Sequence, residues 1–296
     1  MRCGRLPAND TMASFRQRMI RTLRARNTRA LRLSHYLKRR LARRAHCLFV
    51  TSFPKSGSTF LCAALSEATG FLQYALSHGF MGEQELYLPR LLDSYSLDIV
   101  ANQHSLASKV NLELIEEFGI RPVILTRKLY DICVSLRDKL PSDPWLTPSY
   151  PVNERFLALS KEEQFDHIIT LALPRYIAFF AGWKDACAAG TVEALWLDYD
   201  ELIADKAGAI ERVLGFHGLT HPRVRIEEAV RAVEARGGTR FNKGVPGRGA
   251  SQLSEAQRAR LAALAAPYPW IDFGPIGLPC RCGGEPLVAS VVATKV

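Results

Sequence analysis

The chain has 296 residues and a formal net charge of +10, from 39 Lys and Arg against 29 Asp and Glu. Its 48% hydrophobic and 23% charged residues exclude global disorder, a collagen repeat and a coiled coil. The charge is uneven, because residues 1–46 hold 14 basic residues against one acidic, Asp10, for +13, and the other 250 hold 25 against 28, for −3. No apolar run reaches the roughly 18 residues of a membrane span, since Ile168 to Trp183 is broken by Pro174 and Arg175. The N-terminus lacks the continuous apolar stretch of a secretory signal, so a soluble, cytoplasmic protein is expected. Cysteines stand at 3, 47, 62, 133, 187, 280 and 282, an odd set mostly within apolar segments, which points to reduced thiols rather than a disulfide framework. Cys280 and Cys282 lack the second pair of ligands of a zinc site, and no metal is expected.

Three units are expected: a basic helical extension over 1–45, an α/β domain over 46–275 and a tail over 276–296. In the extension, Met12, Phe15, Met19 and Leu23, then Leu33, Leu37 and Leu41, recur at helical spacing with arginines between them. Such an arm suits a solvated extension first, then the surface of an anionic membrane. Nucleic acid and a targeting peptide are lesser readings. From Cys47 to Thr51 a short β-rich run predicts a buried strand, followed by the loop F-P-K-S-G-S-T at 53–59 and the apolar helix 60–68. Residues 71–96 show no period and are expected to be loops with short helices. Strands are predicted over 98–103, 122–126 and 192–197. Helices are predicted over 108–118, 129–139, 161–187 with a kink at Pro174, 200–216 and 225–235. Prolines 141, 144, 148 and 151 mark an irregular segment, and Ser254 to Gln257 is a capping box that opens a last helix.

Strands alternating with helices predict a three-layer α/β sandwich with a mainly parallel central sheet. Such sheets bind ligands at the carboxyl ends of their strands. Lys55, His104 and Arg127 each follow a predicted strand directly and are expected to share that rim. In the loop at 53–59, backbone N–H groups and the positive end of the next helix face any anion placed there. Gly57 permits close approach, Ser58 and Thr59 add hydroxyls, and Lys55 adds a full charge. Taken alone, the loop reads equally well as an ordinary βα turn. The Walker A spacing is absent, because the lysine precedes the glycine.

The motifs together resemble the PAPS-dependent sulfotransferases, whose domain is P-loop-NTPase-like. F-P-K-S-G-S-T-F is similar to that family's 5′-phosphosulfate loop, and L-T-R-K-L-Y-D-I-C-V-S, residues 125–135, to its 3′-phosphate segment, with Arg127 and Ser135 at the family's interval. W-L-D-Y-D-E-L at 196–202 and F-N-K-G-V-P-G-R-G at 241–249 resemble two later elements, and the four occur in the family's order. The resemblance implies a PAPS donor held by Lys55, Ser56, Gly57, Ser58, Thr59 and Phe60, by Arg127 and Ser135, and by Tyr199, Lys243 and Gly244. It implies His104 as general base, an imidazole suiting proton transfer near neutral pH, and Lys55 as the charge that stabilises the leaving phosphate. The implied acceptor is a hydroxyl, or an amine, of a small molecule, lipid or carbohydrate. Phe60 stands where the family has an adenine-stacking Trp, Asn102 where cytosolic members have a second Lys, and Asn242 where the late loop has an Arg. Two other readings are a nucleotide kinase using ATP and Mg²⁺, and a non-catalytic anion- or RNA-binding module.

Overall fold

The structure, a computed structural model, describes residues 33, 45–79, 84–141, 153–237, 247 and 249–279. The basic arm apart from residues 33 and 45, the proline-rich segment 142–152, the residues 238–246 and the last 17 residues lie outside it. Five strands form one sheet in the order β2-β3-β1-β4-β5. They are β1 (Cys47–Ser52), β2 (Leu72–Gln73), β3 (Ile99–Gln103), β4 (Val123–Thr126) and β5 (Leu195–Asp198), and every pairing is parallel. The expected architecture is therefore the observed one.

Side chains alternate across each strand, and both faces are covered, as a parallel sheet requires. Phe49 of β1 with Ile99 and Ala101 of β3 enter one buried cluster, while Leu48 and Val50 of β1 with Val100 of β3 enter another. The first face is covered by α3 (Lys109–Phe118), α4 (Leu129–Lys139), α6 (Lys161–Leu171) and α7 (Leu173–Ala188). The second is covered by α1 (Ser58–Thr69), α9 (Lys206–Phe216) and α10 (Arg223–Arg236). Short helices α2 (Leu88–Asp93), α5 (Glu154–Leu157), α8 (Tyr199–Ala204) and α11 (Gly249–Gln252), with α12 (Glu255–Ala263), complete the described elements. The buried core runs on to Ile276 and Leu278.

Two predicted long helices are each two helices. Pro174, which has no N–H to continue a helix, sits in the first turn of α7 and separates it from α6. Asp205 separates α8 from α9, where its side chain accepts the Gly208 N–H at 2.8 Å as an N-cap. The predicted capping box at Ser254 and Gln257 is present, with both reciprocal hydrogen bonds. Among the described residues no helix is long and apolar enough to cross a membrane. Among the described residues Cys47, Cys62, Cys133 and Cys187 form no disulfide with one another, and burial pushes the thiols of Cys62 and Cys133 well up.

Candidate active site

The strand order puts β1 between β3 and β4, so the loops that follow these three strands lie side by side at the carboxyl rim. Register makes this concrete: Thr51 pairs with Gln103, which sets His104 across from Ser52, and Ser52 pairs with Leu125, two residues before Arg127. Lys55, His104 and Arg127, distant in sequence, are neighbours in the sheet. The next strand out, β5, delivers Tyr199 to the same rim, Thr126 being paired with Asp198.

The loop after β1 is held in an unusual conformation. Lys55 has a φ of 72° and is the sole non-glycine with positive φ among the described residues. A left-handed non-glycine costs about 1–2 kcal/mol and persists only where surrounding contacts impose it. Those contacts are present. Phe53 N–H donates to the Leu125 carbonyl at 3.1 Å, and the Ser56 hydroxyl to the Phe53 carbonyl at 2.7 Å. Arg127 Nη1 donates to the Lys55 carbonyl at 3.0 Å. Gly57 follows as the N-cap of α1, with a φ of 88° and no capping side chain. A Cβ here would stand 3.3 Å from the Tyr199 ring, so packing as well as φ favours glycine. No side chain caps the first turn of α1, which carries Ser58 and Thr59, and N–H groups at such a helix start are able to meet an anion.

Two of the residues expected at the donor site are buried. Ser56 is fully buried with its hydroxyl turned inward to Phe53, so it fastens the loop instead of facing an anion. Phe60 is also fully buried, in the cluster formed with Val50, Leu202, Ala207 and Ile210. The ring presents no open face on which a base could stack; it is a core residue of α1.

Arg127 is buried, and its guanidinium lies 3.9 Å over the Tyr199 ring. Burial pushes the Tyr199 hydroxyl pKa up, with the Arg127 cation pulling the other way. Tyr199 thus touches both halves of the site, supporting Arg127 and backing Gly57. Two turns along α4, Ser135 is buried and its Oγ has no hydrogen-bond partner. Buried hydroxyls nearly always have one, so Ser135 carries an unmet demand on the helix that begins just after Arg127.

His104 is fixed by its ring and by its peptide. Nδ1 lies 2.8 Å from the Ser52 carbonyl, which only accepts, so Nδ1 carries the proton and a neutral ring offers its lone pair at Nε2. Its backbone N–H donates to Gln84 Oε1 at 2.8 Å, and its carbonyl accepts from Arg175 Nη2 at 3.2 Å. Asn102, one side chain back on β3, has a buried Oδ1 without a hydrogen-bond partner.

Sequence reading missed Asp131. It is buried in the first turn of α4, and its two carboxylate oxygens each accept a backbone N–H at 2.7 Å, from Gly247 and Gly249. A Cβ on Gly249 would meet the Tyr130 backbone at 2.1 Å, so only glycine allows the chain to pass this close to α4. The end of the glycine-rich segment is thereby docked on the helix that carries Ser135. An acidic residue inside the apolar run L-Y-D-I-C-V is the available signal. Lys243, Gly244 and Asn242 lie outside the described residues.

The fold is similar to that of solved structures. Mouse sulfotransferase SULT7A1 complexed with PAP aligns with a TM-score of 0.56 over 76% of this chain and 84% of that one, at 15% identity. The chain has the sulfotransferase fold. Retinol dehydratase aligns at 16% identity over 77% of this chain and 82% of that one, with TM-scores of 0.51 for its complex with androsterone and inactive cofactor PAP and 0.50 for its complex with retinol and PAP. No protein-family model matches the sequence, and no curated protein matches it either. Within the sulfotransferase fold, the rim of β3, β1, β4 and β5 brings together Lys55, Gly57, His104, Arg127 and Tyr199. Among the described residues no group of three His, Cys, Asp or Glu side chains is gathered as a metal would require.

Proposed function

We propose that this protein is a PAPS-dependent sulfotransferase acting on a hydroxyl group of a small molecule. The feature that carries the reading is a pair of candidate anion-binding loops after the adjacent strands β1 and β4, with His104 after β3 on the other side of β1. Lys55 and the uncapped N-terminus of α1 form the first, and buried Arg127 with the partnerless Ser135 hydroxyl forms the second. A donor with a 5′-phosphosulfate and a 3′-phosphate needs two such sites, and the Ser135 hydroxyl is a fit for a phosphate oxygen. The solved neighbours of the same fold were captured with PAP, and two of them with androsterone or retinol, which supports an alcohol acceptor.

PAPS supplies a sulfuryl group activated on a phosphate bridge. This chain's residues do the rest. Lys55 and the α1 N–H groups hold the 5′ end, and the lysine charge offsets the negative charge that builds on the leaving oxygen. Arg127 and Ser135 hold the 3′-phosphate, the guanidinium fork matching its oxygens. Tyr199 fixes the Arg127 plane from below. His104 takes the acceptor's hydroxyl proton at Nε2, the Ser52 carbonyl keeping Nδ1 protonated and the ring aimed. By the resemblance of their motif, Lys243 and Gly244 are further candidates for the 3′-phosphate, and Asp131 holds the described end of the same segment at Gly247 and Gly249.

A thermal-shift comparison tests this, because a ligand that binds the native state raises its melting temperature. Adenosine 3′,5′-bisphosphate is expected to stabilise the protein, and ATP with Mg²⁺ to do little. Lys55→Ala and Arg127→Ala should each weaken the bisphosphate response. Stabilisation by ATP with Mg²⁺ and none by the bisphosphate would favour a nucleotide kinase instead.

A further inference from the structure

The first turn of α7 reaches both loops of the candidate site with adjacent residues. Arg175 Nη2 donates to the His104 carbonyl at 3.2 Å, and Tyr176 Oη donates to the Pro54 carbonyl at 3.4 Å, one residue before Lys55. Further along α7, Trp183 Nε1 donates to the Ser105 carbonyl at 3.1 Å, a carbonyl that also accepts the Thr51 hydroxyl at 3.1 Å. From the segment before α2, Gln84 Oε1 accepts the His104 N–H, and the Gln84 carbonyl accepts the Ser105 hydroxyl. Both peptide groups of His104 are therefore held by side chains from outside its own strand and loop.

The break at Pro174 is what makes this possible. It starts α7 at the rim, so that residues 175 and 176 stand where the loops after β3 and β1 pass. Tyr176 is anchored in turn, its ring buried and 5.0 Å from the Phe53 ring. The two side chains leave one rigid helix turn and end on the base loop and on the donor loop. Such a bracket sets the spacing of His104 from Lys55, a quantity on which proton transfer coupled to displacement depends steeply.

We propose that Arg175 is a positioning residue that, with Tyr176, fixes the general base against the donor loop. The inference rests on the sulfotransferase reading of the site. Arg175→Gln and Tyr176→Phe are each expected to lower kcat by about 10- to 100-fold, while the dissociation constant of adenosine 3′,5′-bisphosphate stays within about twofold, since neither side chain holds the donor. In a His104→Ala background, adding Arg175→Gln should change the residual rate no further, because a residue that acts through the base has nothing left to act on. An equal loss in both backgrounds, or a loss of bisphosphate affinity as large as the loss of kcat, would overturn the proposal. The imidazole NMR resonances of His104 provide a readout free of activity: they should shift in Arg175→Gln with the bisphosphate bound, and unmoved resonances would also overturn it. If the unaltered protein neither binds the bisphosphate nor transfers sulfate, the sulfotransferase reading fails, and the His104 resonances in the free protein still decide whether Arg175 positions the ring.

Discussion

Arg127 stacks on Tyr199 with its guanidinium carbon 3.9 Å from the ring centroid, and the same guanidinium donates to the carbonyl of Lys55. One arginine thus ties the loop after β1 to the loop after β4, and one tyrosine sets its height. A stacked, desolvated cation–π pair contributes about 1–2 kcal/mol. Tyr199→Leu should therefore weaken adenosine 3′,5′-bisphosphate binding about 5- to 30-fold by calorimetry. Tyr199→Phe, which keeps the ring, should bind within about twofold of the unaltered protein. A Phe variant as weak as the Leu variant would place the contribution in the hydroxyl and not in the stack.

Ser135 makes a prediction of opposite sign for stability and for binding. Its buried Oγ has no hydrogen-bond partner, and such a group costs about 1–3 kcal/mol in the free protein. Ser135→Ala should leave the melting temperature of the free protein unchanged or raised, because it deletes an unmet demand. The same change should weaken bisphosphate binding about tenfold, the loss of one hydrogen bond to a charged group. A structural serine would behave the other way, losing stability and keeping affinity.

The sheet was legible because its strands are short apolar runs closed by turn residues, and the site because its motifs follow those strands. Cys47–Ser52, Ile99–Gln103 and Val123–Thr126 lie within a residue or two of their expected bounds. What escaped is set by partners distant in sequence. β2 is two exposed residues, held along β3 by the Leu72 N–H to the Asp98 carbonyl and, just after the strand, by the Tyr74 N–H to the Val100 carbonyl. Phe60 was read as a platform from its motif position, yet helices α8 and α9, some 140 residues later, close over it. Ser56 was read as an anion donor, and the tightness of its own turn claims its hydroxyl. The split at Asp205 carried a local signal, an N-cap aspartate with a helix-compatible run after it, that the longer apolar pattern masked.

Asp131 holds the glycine-rich segment, so its loss should act on stability and on the donor site together. Asp131→Ala leaves the N–H groups of Gly247 and Gly249 without their carboxylate and should cost about 2–4 kcal/mol in urea unfolding. Asp131→Asn keeps one acceptor oxygen and should cost less. Both should weaken bisphosphate binding, if the segment anchored by Asp131 brings Lys243 and Gly244 to the 3′-phosphate. A variant that loses stability and retains full affinity would separate the late loop from the donor site.

His217 predicts a pH dependence of stability that is independent of catalysis. It caps the C-terminal end of α9, and its Nε2 is buried with no hydrogen-bond partner. Burial first, then the nearby Arg121 and His46, pushes its pKa from 6.5 down to about 4. The folded protein thus keeps this ring neutral in a pH range where the unfolded chain protonates it. Between about pH 6.5 and pH 4 the unfolded state binds more protons, so the stabilisation present above pH 6.5 is lost as the pH falls through that window. The full span is on the order of 3 kcal/mol. His217→Leu removes the titrating group, so the difference between the unfolding free energies of variant and unaltered protein should grow in the variant's favour from pH 7 down to pH 4 and level off below. Parallel curves across that window would mean that His217 titrates alike in both states.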